Sequence, residues 1–245
     1  MTITNLTIRQ FLKSRSFAVV AVICLIPILL AIIPHLVNST VSLRSIQSTL
    51  ANDIFMNLYA TLLIPISVMV LASAAIGDEI EDKTLYILAL KPISRFRIVL
   101  EKFIAVIVVA APVLFVALTL VWATISWGKL DLTQEYLVPM FAASLVGLVG
   151  FGSIFMMLSL YIRRTLLFGM FYVTIWEGAL AGFLPGIRSF SISHYCRSMF
   201  VELLDNDRIT IDNVASIERI VITVGIIAVV SLTIATYKLR SMAID

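Results

Sequence analysis

The chain has 245 residues, of which 60% are hydrophobic and 13% are charged, and its mean hydropathy is +1.05. A soluble domain of this length carries about twice that charged fraction, so the composition excludes an ordinary soluble domain and indicates a membrane protein. The net charge of +3 is small and scattered, which argues against a nucleic-acid-binding protein. Two cysteines, Cys24 and Cys196, are too few for a disulfide framework.

The N-terminus begins with a short amphipathic stretch. Residues 3–16 alternate apolar side chains with Arg9, Lys13 and Arg15. This pattern predicts a helix that lies along the inner membrane surface, and an ordinary basic flank is the alternative. The apolar run that follows, 17–37, is longer than a signal-peptide core and has no A-x-A-like cleavage site after it. We therefore predict a retained membrane span.

Six apolar runs are long enough to cross a bilayer as helices. Backbone polar groups must pair within the segment when lipid surrounds them, so each run predicts a transmembrane helix. The predicted fold class is therefore all-α, a polytopic membrane protein with a single transmembrane domain over residues 1–245. The predicted spans are residues 17–37, 54–76, 103–127, 136–162, 166–187 and 220–237.

The distribution of lysine and arginine predicts the orientation of the chain. If the N-terminus is cytoplasmic, the inner segments hold twelve of these residues, whereas the short outer loops hold only Arg44 and Lys129. Positive charge is enriched on the cytoplasmic side, so we predict that both termini are cytoplasmic. Residues 188–219 then lie outside, and their helical periodicity predicts short helices on the outer face, with an exposed loop as the alternative. Asp212 is predicted to cap a helix that leads into the last span.

Segment 77–102 carries a patterned polar sequence between two spans. Within it, 79–90 ("EIEDKTLYILAL") combines an acidic first turn, which the helix dipole favours, with one apolar face. Pro92 then ends the helix, and Ser94 can cap the next one. The bases that follow, through Lys102, are expected to lie beside acidic lipid headgroups. The residue chemistry alone fits a helix docked on a protein and a plain surface helix equally well.

This segment resembles the cytoplasmic connection in permease subunits of ATP-binding-cassette transporters of the type-two exporter superfamily. The shared features are a glutamate-rich start, a Thr-Leu pair, a short apolar helix and a Pro-Ile-Ser-Arg exit before a lysine. The layout of an amphipathic N-terminus, six spans and a long outer segment agrees along nearly the whole chain. Lys83 departs from the glycine that many relatives have. The likeness is carried by Glu79, Glu81, Lys83, Thr84, Leu85, Leu88, Pro92, Ile93, Ser94, Arg95 and Lys102.

The resemblance implies a permease subunit of an exporter, in which 77–102 forms a coupling helix seated on a separate cytoplasmic ATPase. It also implies two permease chains, identical or different, in the cell membrane of a bacterium or archaeon. ATP and magnesium would bind to the ATPase, so no cofactor is expected in this chain. The alternative function is a non-transport membrane scaffold or an assembly factor that recruits a cytoplasmic protein. The implied coupling residues are Glu79, Glu81, Lys83, Thr84, Leu88, Pro92 and Arg95.

We predict no ATPase in this chain, because Asp82 stands where a phosphate loop needs glycine before its lysine. No metal site is predicted either, since His35, His194 and Cys196 form no spaced cluster on one element.

The fourth predicted span contains the sequence Gly-Phe-Gly-Ser, which ends at Ser153 and is vaguely like an intramembrane serine protease. Such an enzyme needs a histidine on a later span, and none is present. Ala143, Gly147 and Gly150 instead predict a stripe of small residues that lets helices approach closely.

Glu177 lies in the middle of the apolar sequence "FYVTIWEGALAGF". An ionised acid at the centre of a bilayer costs about 3 kcal/mol, so Glu177 is expected to face a helix bundle, a cavity or a subunit interface. One hypothesis gives it a role in the substrate path or in proton-linked transport. The alternative is a structural glutamate that is hydrogen-bonded within the protein.

Overall fold

The computed structural model describes residues 3–37, 42–77, 94–162, 164–180, 191–206 and 209–242. Helices dominate this part of the chain, which contains no β-strand. The predicted all-α class is therefore confirmed. The helices are α1 (Ile3–Lys13), α2 (Arg15–Val37), α3 (Leu43–Gly77), α4 (Arg95–Ile125), α5 (Leu137–Tyr161), α6 (Thr165–Phe171, continued by the π-helix Tyr172–Leu180), α7 (Ile192–Leu204) and α8 (Ile217–Ser241).

Five of these helices, α2, α3, α4, α5 and α8, are long and apolar enough to cross a membrane. Large apolar side chains on them stay exposed, including Leu29 at 67% and Val229 at 66%. Lipid can cover such side chains, so the protein is a polytopic membrane protein. The predicted fifth span, residues 166–187, overlaps α6. The rest of this span lies within residues 181–190, which are outside the described part of the chain. Six spans and cytoplasmic termini therefore stay predictions.

Two of the spans are longer helices than the apolar runs that predicted them. α3 starts at Leu43 rather than at residue 54, and α4 starts at Arg95 rather than at residue 103. The difference arises because a helix continues through polar turns that lie beyond its apolar core. The structure therefore assigns residues 95–102, which the sequence placed in a connecting segment, to the first turns of α4.

The ends of the helices test two of the predicted caps. Ser94 is the N-cap residue of α4, as predicted, although its side chain makes no capping hydrogen bond. The predicted cap at Asp212 is wrong, because α8 begins only after Ser216, which is its N-cap residue. α7 ends at Leu204, and its C-cap residue, Asp205, adopts a left-handed backbone conformation with φ of 47°.

α5 forms the centre of the bundle, where it packs on α3, α4, α7 and α8. Its small residues confirm the predicted stripe of close helix contacts. A Cβ atom on Gly147 would lie 2.9 Å from Cγ2 of Ile64 in α3, and one on Gly150 would lie 2.8 Å from Cγ2 of Ile192 in α7. Ala143 is fully buried on the same side of α5. α3 and α7 therefore approach α5 closely because these positions lack bulky side chains.

Candidate functional site

The predicted coupling helix is flanked by the last turn of α3, Ser73–Gly77, and by the first turns of α4, residues 94–102. We call this part of the bundle the coupling end. The opposite end, where two short 3₁₀ turns, Leu130–Leu132 and Gln134–Tyr136, join α4 to α5, is the far end. Outside the described residues lie the predicted helix 79–90 and six predicted coupling residues: Glu79, Glu81, Lys83, Thr84, Leu88 and Pro92.

Arg95 is the predicted coupling residue that the structure describes. It occupies the first position of α4 and is half-buried. Its Nη1 atom is enclosed and has no hydrogen-bond partner among the described residues. The role of Arg95 as a coupling residue stays a prediction.

Lys102 joins the two sides of the coupling end. The prediction that it lies beside lipid headgroups is wrong, since its side chain is only 1% exposed. Its Nζ atom donates to the carbonyl of Ala75 over 2.6 Å. Ala75 belongs to the last turn of α3, where carbonyl oxygens lack partners within the helix and carry partial negative charge. The lysine therefore links the end of α3 to α4 by a charge-assisted hydrogen bond.

Glu101, the residue before Lys102, holds α1 against α4. Its Oε2 atom accepts a hydrogen bond from the backbone N–H of Thr4 over 3.2 Å, and its carbonyl accepts one from the Thr4 hydroxyl over 3.3 Å. Arg97 pairs with the other carboxylate oxygen at 2.7 Å. A carboxylate at the first turn of α1 also matches the positive end of the helix dipole.

The helix that the sequence predicts within residues 3–16 is present as α1, Ile3–Lys13, and its place along the inner membrane surface stays a prediction. Phe11 is buried within the protein, whereas Leu6 and Leu12 remain about half exposed. One side of α1 thus packs on α4, and apolar side chains elsewhere on it are available to a membrane surface.

α7 is the helix that residues 188–219 predict, but it is not a surface helix. It begins beside Gly150, midway along α5, and runs to the far end, where the Phe200 ring lies 6.4 Å from that of Tyr136. Phe200 also contacts Phe55 of α3, with ring centroids 4.6 Å apart. Seven side chains of α7 are buried, so the alternative of a solvent-exposed loop is wrong for residues 192–204.

Glu177 belongs to the π-helical part of α6, is 4% exposed, and lies beside the first turn of α7. Its Oε1 atom accepts hydrogen bonds from the Tyr172 hydroxyl and from the Ile192 N–H, each over 3.1 Å. Its Oε2 atom accepts from the Ser191 hydroxyl and from the Ser193 N–H, the latter over 3.2 Å. Two donors are backbone groups of the first turn of α7, where N–H groups have no partner within the helix. The carboxylate therefore caps α7 from α6.

Arg197 fastens α7 to α3, and the sequence analysis missed it. Its Nε atom donates to the Met56 carbonyl over 3.1 Å, and Nη2 donates to the Thr61 hydroxyl. The hydroxyl itself donates to the same carbonyl over 3.0 Å. These partners belong to the π-helical part of α3, Thr49–Leu63. One feature of the sequence could have identified it: Arg197 is a lone arginine among apolar and small residues. An arginine removed from water in such a setting needs hydrogen-bond acceptors.

A metal centre has no support in the described residues, which contain no group of three or more histidine, cysteine, aspartate or glutamate side chains able to hold an ion. His194 and Cys196 both belong to α7, and Cys196 is a buried free thiol whose Sγ lies 3.0 Å from the Ala143 carbonyl. Both are part of the packing of α7.

Together, the apolar helices and exposed lipid-facing side chains define a multi-pass membrane protein with polar links at its coupling end and around α7. The chain belongs to the ABC-2 family of transporter proteins, whose sequence profile matches residues 1–237. It is therefore a permease component of an ATP-binding-cassette transporter, and the resemblance of segment 77–102 is confirmed at the level of the family. Comparison with curated protein sequences yields no significant match.

Proposed function

We propose that this permease is the membrane-spanning subunit of an exporter that a separate cytoplasmic ATPase drives. The observation that carries the proposal is the ABC-2 family match along nearly the whole chain, because family membership implies an ATP-binding-cassette partner. Two permease chains, identical or different, form the pathway in the cell membrane. ATP and magnesium bind to the ATPase, and this chain supplies no catalytic group.

The ATPase acts on the segment between α3 and α4. Closure of the ATPase around ATP moves the helix 79–90, and the flanks of this helix transmit the movement to the spans. Arg95 supports this proposal, because its enclosed Nη1 atom has no acceptor among the described residues. The residues proposed to contact the ATPase, or to form the turn that presents those contacts, are Glu79, Glu81, Lys83, Thr84, Leu88, Pro92 and Arg95.

A pull-down with the ATPase of the same transporter tests this docking. Replacing Glu79 and Glu81 together by lysine should abolish capture while leaving the detergent-solubilised permease folded, because like charges then face the site. The matched control reverses Asp131 and Glu135, two exposed acids at the far end. Unchanged capture by the first variant would show that the docking surface lies elsewhere.

Two further measurements on the captured wild-type complex separate transport from the alternative of a membrane scaffold or assembly factor. A transporter subunit should change both the ATP turnover of the bound ATPase and the accessibility of its own spans when ATP is added. A scaffold should capture a cytoplasmic protein without either change. If the wild-type complex shows no ATP-dependent change in ATP turnover or in the accessibility of the spans, the scaffold is favoured.

Glu177 is proposed to act through α7. Its four hydrogen bonds support the structural alternative that the sequence left open, in which the carboxylate holds a buried helix. A role in the substrate path requires a further effect on transport. Transport by Glu177→Gln that is normal per folded molecule would remove that role and leave the structural one.

A further inference from the structure

We propose that Lys102 is a positioning residue that couples ATP hydrolysis to the movement of the spans. Its hydrogen bond to the Ala75 carbonyl joins the end of α3 to the start of α4 and so closes the base of the segment on which the ATPase acts. The inference rests on the proposed function. It assigns a role to a residue outside the predicted docking set.

The burial of Lys102 indicates that the link between the helices is what the residue provides. An ammonium group removed from water is costly unless hydrogen bonds replace the lost hydration. An apolar side chain of the same length would pack at lower cost, so packing alone does not account for a lysine here. The bond spans 27 residues of sequence and connects the two flanks of 78–93 directly. The lysine therefore fixes the distance between the ends of that segment.

The neighbouring residue extends this link to a third helix. Glu101 holds the first turn of α1 through Thr4, so α1, α3 and α4 are joined at two consecutive residues of α4. A displacement that enters through either flank of 78–93 then moves all three helices as one body. Without Lys102, the ends of α3 and α4 can part, and this parting would absorb the displacement before it reaches the far end.

The experiment compares Lys102→Met, which keeps the length of the side chain, with Lys102→Arg, which keeps the donor. Each variant is assembled with the ATPase of its transporter in lipid nanodiscs, and amide hydrogen exchange is measured with and without ATP plus vanadate. Lys238→Met is the matched control, since this lysine is at the same end of the bundle but lies over the Tyr161 ring.

We expect Lys102→Met to bind the ATPase as the wild type does. Amide exchange in residues 94–101 should rise on the order of tenfold, because the lost charge-assisted bond increases the population of the parted state. The change that ATP plus vanadate causes in the far-end turn, residues 126–136, should disappear. Lys102→Arg should restore this change, and Lys238→Met should retain it.

Three results would overturn the inference. The first is a normal nucleotide-dependent change at the far end in Lys102→Met, which leaves the proposed function intact. The second is loss of ATPase binding in Lys102→Met, which would make the lysine a structural support of the docking surface. The third is absence of a nucleotide-dependent change in the wild-type complex, which refutes the proposed function and the inference with it.

Discussion

Replacing Glu177 by glutamine tests how α7 is held at the start of its path through the bundle. Each carboxylate oxygen accepts one hydroxyl and one backbone N–H, the latter from Ile192 or Ser193. Glutamine keeps one acceptor oxygen but replaces the other with an NH₂ group, which is a donor. A hydroxyl can turn to accept a hydrogen bond from this NH₂ group, whereas a backbone N–H can only donate. In either orientation of the amide, one backbone N–H of α7 is therefore left without its partner.

The structure sets the size of the expected effect. An unpaired buried N–H costs about 1–3 kcal/mol, and losing a negative charge at a helix N-terminus adds up to about 2 kcal/mol in a buried setting. We therefore expect Glu177→Gln to lower the free energy of unfolding by about 2–4 kcal/mol. Glu177→Ala should cost more, because it removes the acceptors for all four donors.

The assay is reversible unfolding in mixed micelles, combined with amide exchange of the first turn of α7. Glu218→Gln is the matched control, because Glu218 also lies in the first turn of a helix, α8, but is exposed. It should change stability by less than about 0.5 kcal/mol. If Glu177→Gln also stays within about 0.5 kcal/mol and the amides of Ile192 and Ser193 keep their protection, the capping role is refuted.

Two further predictions concern the packing of α7. Gly150→Ala should destabilise the protein by about 1–3 kcal/mol in the same unfolding assay, because the new Cβ atom would lie 2.8 Å from Ile192. The control is Gly225→Ala, which should be neutral or slightly stabilising, because a Cβ atom there meets no neighbouring group within 4 Å. Equal effects of the two substitutions would contradict the close approach of α7 to α5. Arg197→Met should cost about 2–4 kcal/mol by leaving acceptors near Thr61 without their charged donor, and Arg197→Lys should recover part of this loss. Wild-type stability of the Met variant would show that Arg197 does not hold α7 on α3.

The two polar connections described above have different partners and different consequences. At the coupling end, Lys102 joins α4 to α3, the two helices that flank the predicted ATPase-binding segment in the sequence, and Glu101 joins α4 to α1. Nearer the far end, Glu177 and Arg197 hold α7 between α6 and α3. Buried charges are costly unless polar groups satisfy them. Lys102, Glu101 and Glu177 bond to backbone groups at helix ends, which helices leave unpaired. Arg197 bonds to the Met56 carbonyl and the Thr61 hydroxyl within the π-helical part of α3.

Hydropathy located the membrane helices because a bilayer imposes one requirement on every span, a continuous apolar helix of sufficient length. Five of the six predicted runs correspond to α2, α3, α4, α5 and α8, with errors mainly where α3 and α4 continue through polar turns. The small residues of α5 were equally readable, because close helix approach requires them whatever the neighbour is. The resemblance of 77–102 to the permease family could also be recognised from sequence, because it depends only on the order of residues within one short segment, and the family match confirms it.

The roles of individual charges depended on partners that are distant in sequence. From the sequence, Lys102 was expected beside lipid headgroups, whereas in the structure its ammonium group bonds to the Ala75 carbonyl. The sequence left Glu177 open between a substrate-path acid and a hydrogen-bonded structural glutamate, and the structure places its carboxylate at the first turn of α7. The burial of α7 follows the same rule, since its apolar periodicity fits a membrane surface as well as a bundle. Hydropathy was sufficient to locate the five described helices that are long and apolar enough to cross a membrane. It carries no information on which polar groups meet, because hydrogen bonds between helices depend on the depth and rotation of each helix, and these follow from the packing of the bundle.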